Sequence, residues 1–278
     1  MIKFSKLPIL LATCVGFGLA GTGVTANCIT AKGNFGAYKQ HLGKAAAASG
    51  VGQRGLQALG AAGLSDITWR FESRPSSQTG VSQGDPARFL AKRSGSSAEN
   101  FVKQTRAKIA RNPNTFASIE RRYGVPASLL ATIWGLETSW GGYLGKTPIV
   151  AGAVTLSSYC RRYPKFEPHA IAALQMADRG LISGNTRGGP SGELGHMQFL
   201  AGNWLRYGVD GNGDGRADPY TAADALATAA NMLRSNGWQP GKPFGQGSRN
   251  FRVLSVWNDS GNYQRAIAYA AERVAGGS

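Results

Sequence analysis

Histidine, cysteine and acidic residues are all scarce in this chain. Its 278 residues include three histidines, three cysteines and 15 Asp plus Glu, against 31 Lys plus Arg. His41, His169 and His196 have no metal-ligand spacing, and no Ser, His and Asp set stands in a recognisable nucleophile context. Zinc chemistry and a serine-type triad are therefore excluded as readings. The shortage of acids leaves a formal net charge of +16, which favours anionic partners. The basic residues are scattered, and zinc-finger, RNP and helix-turn-helix signatures are missing, so no nucleic-acid partner is expected.

Long apolar runs are missing too, except at the start. "MIKFSKLPILLATCVGFGLAGTGVTANC" places Lys3 and Lys6 before a short apolar run that ends in small residues. The run from Leu7 to Ala20 is shorter than the roughly 20 residues that span a bilayer, and it contains Pro8. It has the form of a secretory signal peptide, residues 1–26, with Val24 and Ala26 suited to cleavage before Asn27. Asn27 before Cys28 argues against a lipid anchor, and no other segment is long enough to be a transmembrane anchor. Removing Lys3 and Lys6 takes the charge from +16 to +14, and for an exported protein an anionic polymer of the cell envelope is the economical partner. Cys28 and Cys160 remain after cleavage. In an oxidising compartment they form either a single disulfide or two independent buried thiols, the disulfide being favoured.

The rest of the chain is punctuated helix. Phe35, Tyr38, Leu42 and Ala46 have helical spacing, followed by a second short pattern around Leu56 and Leu59. The Ser, Gly, Pro and Gln-rich stretch between Glu72 and Asp85 predicts a linker. Helix resumes from Pro86 and from Ala98 to Ile119, broken at Pro113. Further helices are expected from Pro126 to Trp140, stopped by Gly141 and Gly142, and from about Pro168. Two more follow, at "TAADALATAANMLRS" and "YQRAIAYAAERVAG". The best strand signal is "FRVLSVW", residues 251–257, and no fixed-period repeat is present.

One residue is out of keeping with its surroundings. On a helix from Pro126, Leu130, Ile133 and Trp134 lie seven, four and three residues before Glu137 and share or border its face. Apolar neighbours and a nearby helix C-terminus both oppose ionisation, raising the carboxyl pKa as a general acid at neutral pH requires. The alternative is a core-rim glutamate whose oxygens reach solvent or a basic side chain.

Four separated motifs occur in order: "YGVPASLLATIWGLETSWGGYLGKT", "AVTLSSYCRRYPKF", "GELGHMQFL" and "YGVDGNGDGRADPYTAADALATAANMLRSNGW". Together they resemble the lytic murein transglycosylase B family over most of the mature chain. The resemblance implies a mainly α fold with a lysozyme-like catalytic core and an additional helical region. It also implies that Glu137 is the sole catalytic acid and base. Glu137 would protonate the glycosidic oxygen between N-acetylmuramic acid and N-acetylglucosamine, then take the C6 hydroxyl proton as a 1,6-anhydro ring closes. No second carboxylate and no catalytic cofactor are needed, unlike most glycoside hydrolases.

By the same resemblance Gln198 and Phe199 line the saccharide cleft. Arg161 and Arg162 either bind carboxylates of peptidoglycan stem peptides or the muramyl lactyl group, or pair with Asp178 or another acid. "WNDSGNY" resembles a family segment that usually begins Tyr-Asn. Asn258 and Tyr263 match, whereas Trp257 replaces the tyrosine, which keeps an aromatic surface but puts a hydrogen bond to Glu137 in doubt. Glu193 is either a carboxylate that steers a water or, as favoured, the structural partner of an arginine. Only Gln239 to Val256 separate "GW" from this segment, so the family's β segment is expected to be reduced or absent.

"DGNGDG" at residues 210–215 opens like an EF-hand, with its turn glycine in place. Position twelve is Thr221, so the ordinary loop fails. A longer loop closing on Asp224, as in the resembled family, would use Asp210, Asn212, Asp214, Asp224 and the carbonyl of Arg216, with Asp218 as a further candidate. Hard oxygen ligands select Ca²⁺, in a structural role. The other reading is an Asx-rich turn capping the next helix.

The expectations are an N-terminal helical region and linker at 27–84 and a catalytic region at 85–278 that includes the EF-hand-like loop 210–224. The protein would be a periplasmic lytic transglycosylase acting on peptidoglycan glycan strands. A muramidase and a non-catalytic cell-wall binding protein are the alternatives.

Overall fold

The computed structural model describes residues 27–73 and 84–276, so the expected signal peptide and most of the expected linker lie outside the described residues. Those described are overwhelmingly helical. α1 (Phe35–Ala48), α2 (Gln53–Ala61) and α3 (Asp66–Ser73) form the N-terminal region. α1 buries the four residues whose spacing predicts it, Phe35, Tyr38, Leu42 and Ala46. α3 carries Glu72 and Ser73, so the linker expected from Glu72 starts later than the composition suggests.

Asp85 opens α4 (Pro86–Ser94) by accepting from the amides of Ala87 at 2.9 Å and Arg88 at 3.2 Å, with proline at the first helical position. α5 (Ala98–Arg111) and α6 (Pro113–Tyr123) meet at Asn112. Then come α7 (Ala127–Thr138), α8 (Ile149–Ser158) and α9 (Glu167–Asp178). α10 (Ala201–Tyr207) and α11 (Ala222–Ser235) follow, and α12 (Arg249–Val253) and α13 (Gly261–Val274) complete the order. Two-residue strands, Thr147–Pro148 and Arg187–Gly188, pair antiparallel as the only named sheet among the described residues.

"FRVLSVW" is not a strand. Its first six residues fall in α12 and a 3₁₀ turn, Leu254–Val256, with Trp257 just beyond the turn, because Ser248 caps the Phe251 amide at 3.0 Å and commits the backbone to helix. No β segment stands between Trp238 and Trp257, in line with the reduction expected from the short spacing.

α7 is apolar almost all round, as a helix packed on several sides must be. Leu129, Leu130 and Ile133 have no exposed surface, each such burial being worth roughly 1.5–3 kcal/mol. α13 and α5 pack directly against it. The expected glycine stop is wrong in place. The helix ends at Thr138, and Ser139 and Trp140 adopt left-handed backbone with φ of 50° and 56°. Non-glycine residues rarely do so. The Trp140 indole holds the turn by donating to the Ala131 carbonyl at 3.0 Å, with its ring packed where a Cβ on Gly135 would stand.

Cys28 and Cys160 are bonded, with Cα atoms 4.8 Å apart across a separation of 132 residues. Beside them Ile29 N donates to Ser158 O at 2.8 Å. The bridge fastens the start of the described chain to the turn between α8 and α9. No helix among the described residues is long and apolar enough to cross a membrane.

Candidate active site

Glu137 sits one residue before the end of α7, on the wall of a cleft of about 570 Å³. Its carboxylate oxygen Oε1 accepts two hydrogen bonds, from the Tyr263 hydroxyl at 2.7 Å and the Trp257 indole N–H at 3.0 Å. At position 257 the indole nitrogen donates as a phenol would, and the doubt about a bond from Trp257 to Glu137 is removed. α13 supplies Tyr263, held by the Ser260 cap. Burial is the main influence on Glu137 and pushes its pKa up, while Tyr263, Trp257 and the charge of Arg93 pull it partly back. Burial and the Glu137 charge hold Tyr263 well above its ordinary range, so its hydroxyl is a neutral donor.

A further part of the cleft lining comes from "GGPSGELGHMQF". Gln198, in left-handed backbone at φ 49°, donates its side-chain amide to the carbonyls of Gly195 at 2.8 Å and Leu144 at 3.3 Å. Its Oε1 and an oxygen of Glu193 flank Gly189, where an added Cβ would come within 2.4 Å and 2.3 Å of them. A side chain at position 189 would have to displace the ends of both. Phe199 packs edge-on against Trp257 at 5.3 Å, and both line the cleft together with Asn258. Among the described residues Glu193 has no arginine partner of the kind expected. Its Oε2 accepts from the Ser191 amide at 2.7 Å, and burial, with Glu137 nearby, raises its pKa.

Arg161 and Arg162 converge on an acid, but it is not Asp178, which accepts from the Gly55 amide at 3.0 Å. Both bind Glu72 of α3, whose side chain is 1% exposed: Arg161 at 2.5 Å, and Arg162 through Nε at 2.7 Å and Nη2 at 3.0 Å. The two-pronged geometry is what a guanidinium offers and an ammonium does not. Arg162, with Glu72, lines the cleft, and Arg161 is not among its lining residues.

Sequence reasoning missed Arg93, Phe71 and Tyr143, all of which line the cleft. Phe71 and Tyr143 are conspicuous once placed, at 45% and 59% exposure. A lysine- and arginine-rich α4 gives no sign of which cation turns inward, so Arg93 had no signal to find it by.

In the loop at 210–224, Asp210 accepts from the amides of Gly213 at 2.6 Å and Gly215 at 2.7 Å. Asp224 is fully buried and reaches back to the amides of Gly211 at 2.9 Å and Asn212 at 3.2 Å, while its Oδ2 accepts from Asp218 N at 2.9 Å. The fifteenth residue thereby closes the loop on its own start. No group of three or more His, Cys, Asp or Glu side chains is gathered as a metal set among the described residues. The side chains present, Asp210, Asn212, Asp214 and Asp224, supply oxygen donors of the kind a hard cation takes.

Several known proteins share this arrangement of helices. Structures of SltB3 from Pseudomonas aeruginosa, in complex with NAG-NAM-pentapeptide and with NAG-anhNAM-pentapeptide, match with TM-scores of 0.74 and 0.73. Each is 21% identical and covers 87% of this chain and 80% of that one. The Escherichia coli lytic transglycosylase Slt35 in complex with calcium matches with a TM-score of 0.72 at 22% identity, covering 85% and 92%. These likenesses establish the fold. Membrane-bound lytic murein transglycosylase B of Escherichia coli K12 is 36% identical over 121 residues, which make up 43% of this chain and 34% of that protein. The match thus spans about a third of the length of that relative. A family model described as the transglycosylase SLT domain matches residues 34–248, stopping short of Trp257 and Tyr263. From that match over most of its length, the chain belongs to the transglycosylase SLT domain family.

Proposed function

We propose that the protein is a lytic transglycosylase that cleaves the β-1,4 bond between N-acetylmuramic acid and N-acetylglucosamine in peptidoglycan and leaves 1,6-anhydromuramyl ends. The observation that carries this reading is Glu137 at the wall of the cleft, with both neutral donors on Oε1. Its other oxygen, Oε2, is left to exchange a proton with substrate. A buried carboxyl that keeps its proton to higher pH suits a general acid. Glu137 gives that proton to the glycosidic oxygen as the bond to the muramyl C1 breaks. The carboxylate formed is stabilised by Tyr263 and Trp257, then takes the proton of the muramyl C6 hydroxyl as that oxygen bonds to C1. Glu137 is regenerated, and no cofactor or second carboxylate takes part.

Gln198, Phe199, Trp257 and Asn258 belong to the proposed saccharide platform, because they line the same cleft. Arg162 would present a cation to stem-peptide or lactyl carboxylates, with Arg161 and Glu72 fixing its direction. The division at residues 84 and 85, export to the periplasm and removal of residues 1–26 are part of the same proposal. So is a structural calcium ion held by Asp210, Asn212, Asp214, Asp224 and the Arg216 carbonyl, with Asp218 directly or through water. The ion would supply loop stability and no chemistry.

The test is digestion of purified peptidoglycan sacculi. Wild-type protein should solubilise them, and Glu137→Gln, folded by circular dichroism, should lose about two to four orders of magnitude in rate. Equal clearing by both proteins would overturn the role of Glu137.

A further inference from the structure

Glu137 is flanked along α7 by two residues that both reach His196. Three residues before it, the Trp134 indole donates to His196 Nδ1 at 3.3 Å, and the two rings meet edge to face at 5.7 Å. Directly after it, the Thr138 hydroxyl donates to the His196 carbonyl at 2.7 Å and accepts from the Gly141 amide at 3.0 Å. Trp134 and Thr138 are both buried, so these donors are largely withheld from water. The turn that follows closes on the same imidazole: Gly141 has φ of 84°, and a Cβ there would stand 2.5 Å from His196 Cε1.

His196 is itself fixed from outside α7. It lies in a single 3₁₀ turn, Gly195–Met197, and its amide donates to the Pro219 carbonyl at 3.0 Å. Two residues on, Gln198 returns to the Gly195 carbonyl through its main-chain amide at 3.2 Å and its side chain at 2.8 Å. An imidazole nitrogen that accepts from an indole bears no proton, so the ring is neutral with its proton on Nε2. One short turn thus carries the cleft-lining Gln198 and grips the end of α7. His196 is not among the residues that line the cleft, so any influence on the reaction passes through its neighbours.

The end of α7 needs such a grip. Glu137 stands one residue before the helix stops, the backbone turns left-handed at Ser139, and the last carbonyls of a helix have no helical partner. A misplacement of about 1 Å in a reacting group costs about 10² in rate. We infer that His196 is a positioning residue: by binding Trp134 and Thr138 on either side of Glu137, it aims that carboxyl at Tyr263, Trp257 and the cleft. The inference rests on the proposed role of Glu137 and adds no group to the chemistry.

The test compares His196→Leu, which keeps bulk without an acceptor, with His196→Asn, whose Oδ1 replaces Nδ1 as acceptor. Each is measured for kcat and KM on purified peptidoglycan after circular dichroism confirms the fold. His196→Leu should lower kcat about tenfold or more and leave KM within about twofold, while His196→Asn stays within about threefold of wild type. Trp134→Phe removes the donor and should match His196→Leu. The double variant should be no slower than the slower single one, because both break the same bond. If His196→Leu does not fold, Trp134→Phe and His196→Asn carry the comparison.

Unchanged kcat in His196→Leu, equal losses with leucine and asparagine, or losses that multiply in the double variant would each overturn the inference, since filling space would then be all the ring does. A raised KM at unchanged kcat would overturn it too. Each of these results leaves the proposed function standing so long as Glu137→Gln is inactive. A wild-type protein that releases no anhydromuramyl fragments overturns the proposed function and this inference together.

Discussion

The Tyr263 hydroxyl lies 2.7 Å from Glu137 Oε1, and the Trp257 indole donates to the same oxygen at 3.0 Å. Two donors on one oxygen leave the other as the proton-carrying atom. They also stabilise the anion more than the acid, so each pulls down a pKa that burial has pushed up.

Removing one donor should therefore move the pH profile in a stated direction. Tyr263→Phe takes away a group that lowers the Glu137 pKa, so the carboxyl keeps its proton to higher pH. The alkaline limb of activity should shift upward, and the maximal rate should fall, because the carboxylate formed after protonation of the leaving group is less well held. The pH dependence of peptidoglycan digestion by the two proteins checks this. A downward shift of the alkaline limb would contradict the assignment of Tyr263 as a donor to the anion.

Glu137→Gln should be more stable than the wild type at neutral pH. A carboxyl whose pKa is raised on folding binds more protons in the native state, so its contribution to stability declines as pH rises from the unfolded toward the folded pKa. Below the unfolded value both states are protonated and the penalty vanishes. The thermal midpoint of the variant should exceed that of wild type at pH 7 and approach it near pH 4. A variant less stable at pH 7 would show that Glu137 is a structural anchor.

The disulfide between Cys28 and Cys160 closes a loop across 132 positions. Cys28→Ser or Cys160→Ser should cost about 2–5 kcal/mol, read from denaturant midpoints at unchanged slope. Because Arg161 and Arg162 follow Cys160 directly and hold Glu72, the substitutions should also raise KM for peptidoglycan. Unchanged midpoints would mean that the native contacts around Ile29 and Tyr159 suffice alone.

For the loop at 210–224, added calcium should raise the thermal midpoint of wild-type protein by about 5–10 °C at a hundredfold excess over Kd, as binding to the folded state alone requires. Asp224→Asn should abolish the response. An identical midpoint with calcium and with chelator would leave the loop as an Asx-rich turn held by its own amides.

The sequence makes the helices legible where their apolar spacing is decisive. α1 and α7 follow from Phe35, Tyr38 and Leu42 and from Leu130 and Ile133. It was least informative where tertiary contacts override local preference. "FRVLSVW" has the β-branched residues of a strand, yet the Ser248 cap makes it helical. The end of α7 is set by Trp140 packing through its indole, not by the glycine pair that follows. Glu137 stood out as a carboxyl among leucines, but periodicity alone left a core-rim glutamate as the alternative, and its proposed role as acid and base came from the family resemblance. Arg93 and the Glu72 partner of Arg161 and Arg162 were not, because an exposed-looking charge on an amphipathic helix gives no clue to which face closes a cleft.

The most direct measurement of the central claim is mass spectrometry of the soluble fragments released from purified peptidoglycan by wild type and by Glu137→Gln. The account predicts 1,6-anhydromuramyl ends from the wild type and none above background from the variant. Reducing ends alone would place the chemistry entirely in hydrolysis, and tight binding to sacculi without soluble products would make the cleft a cell-wall binding site; either result contradicts the account.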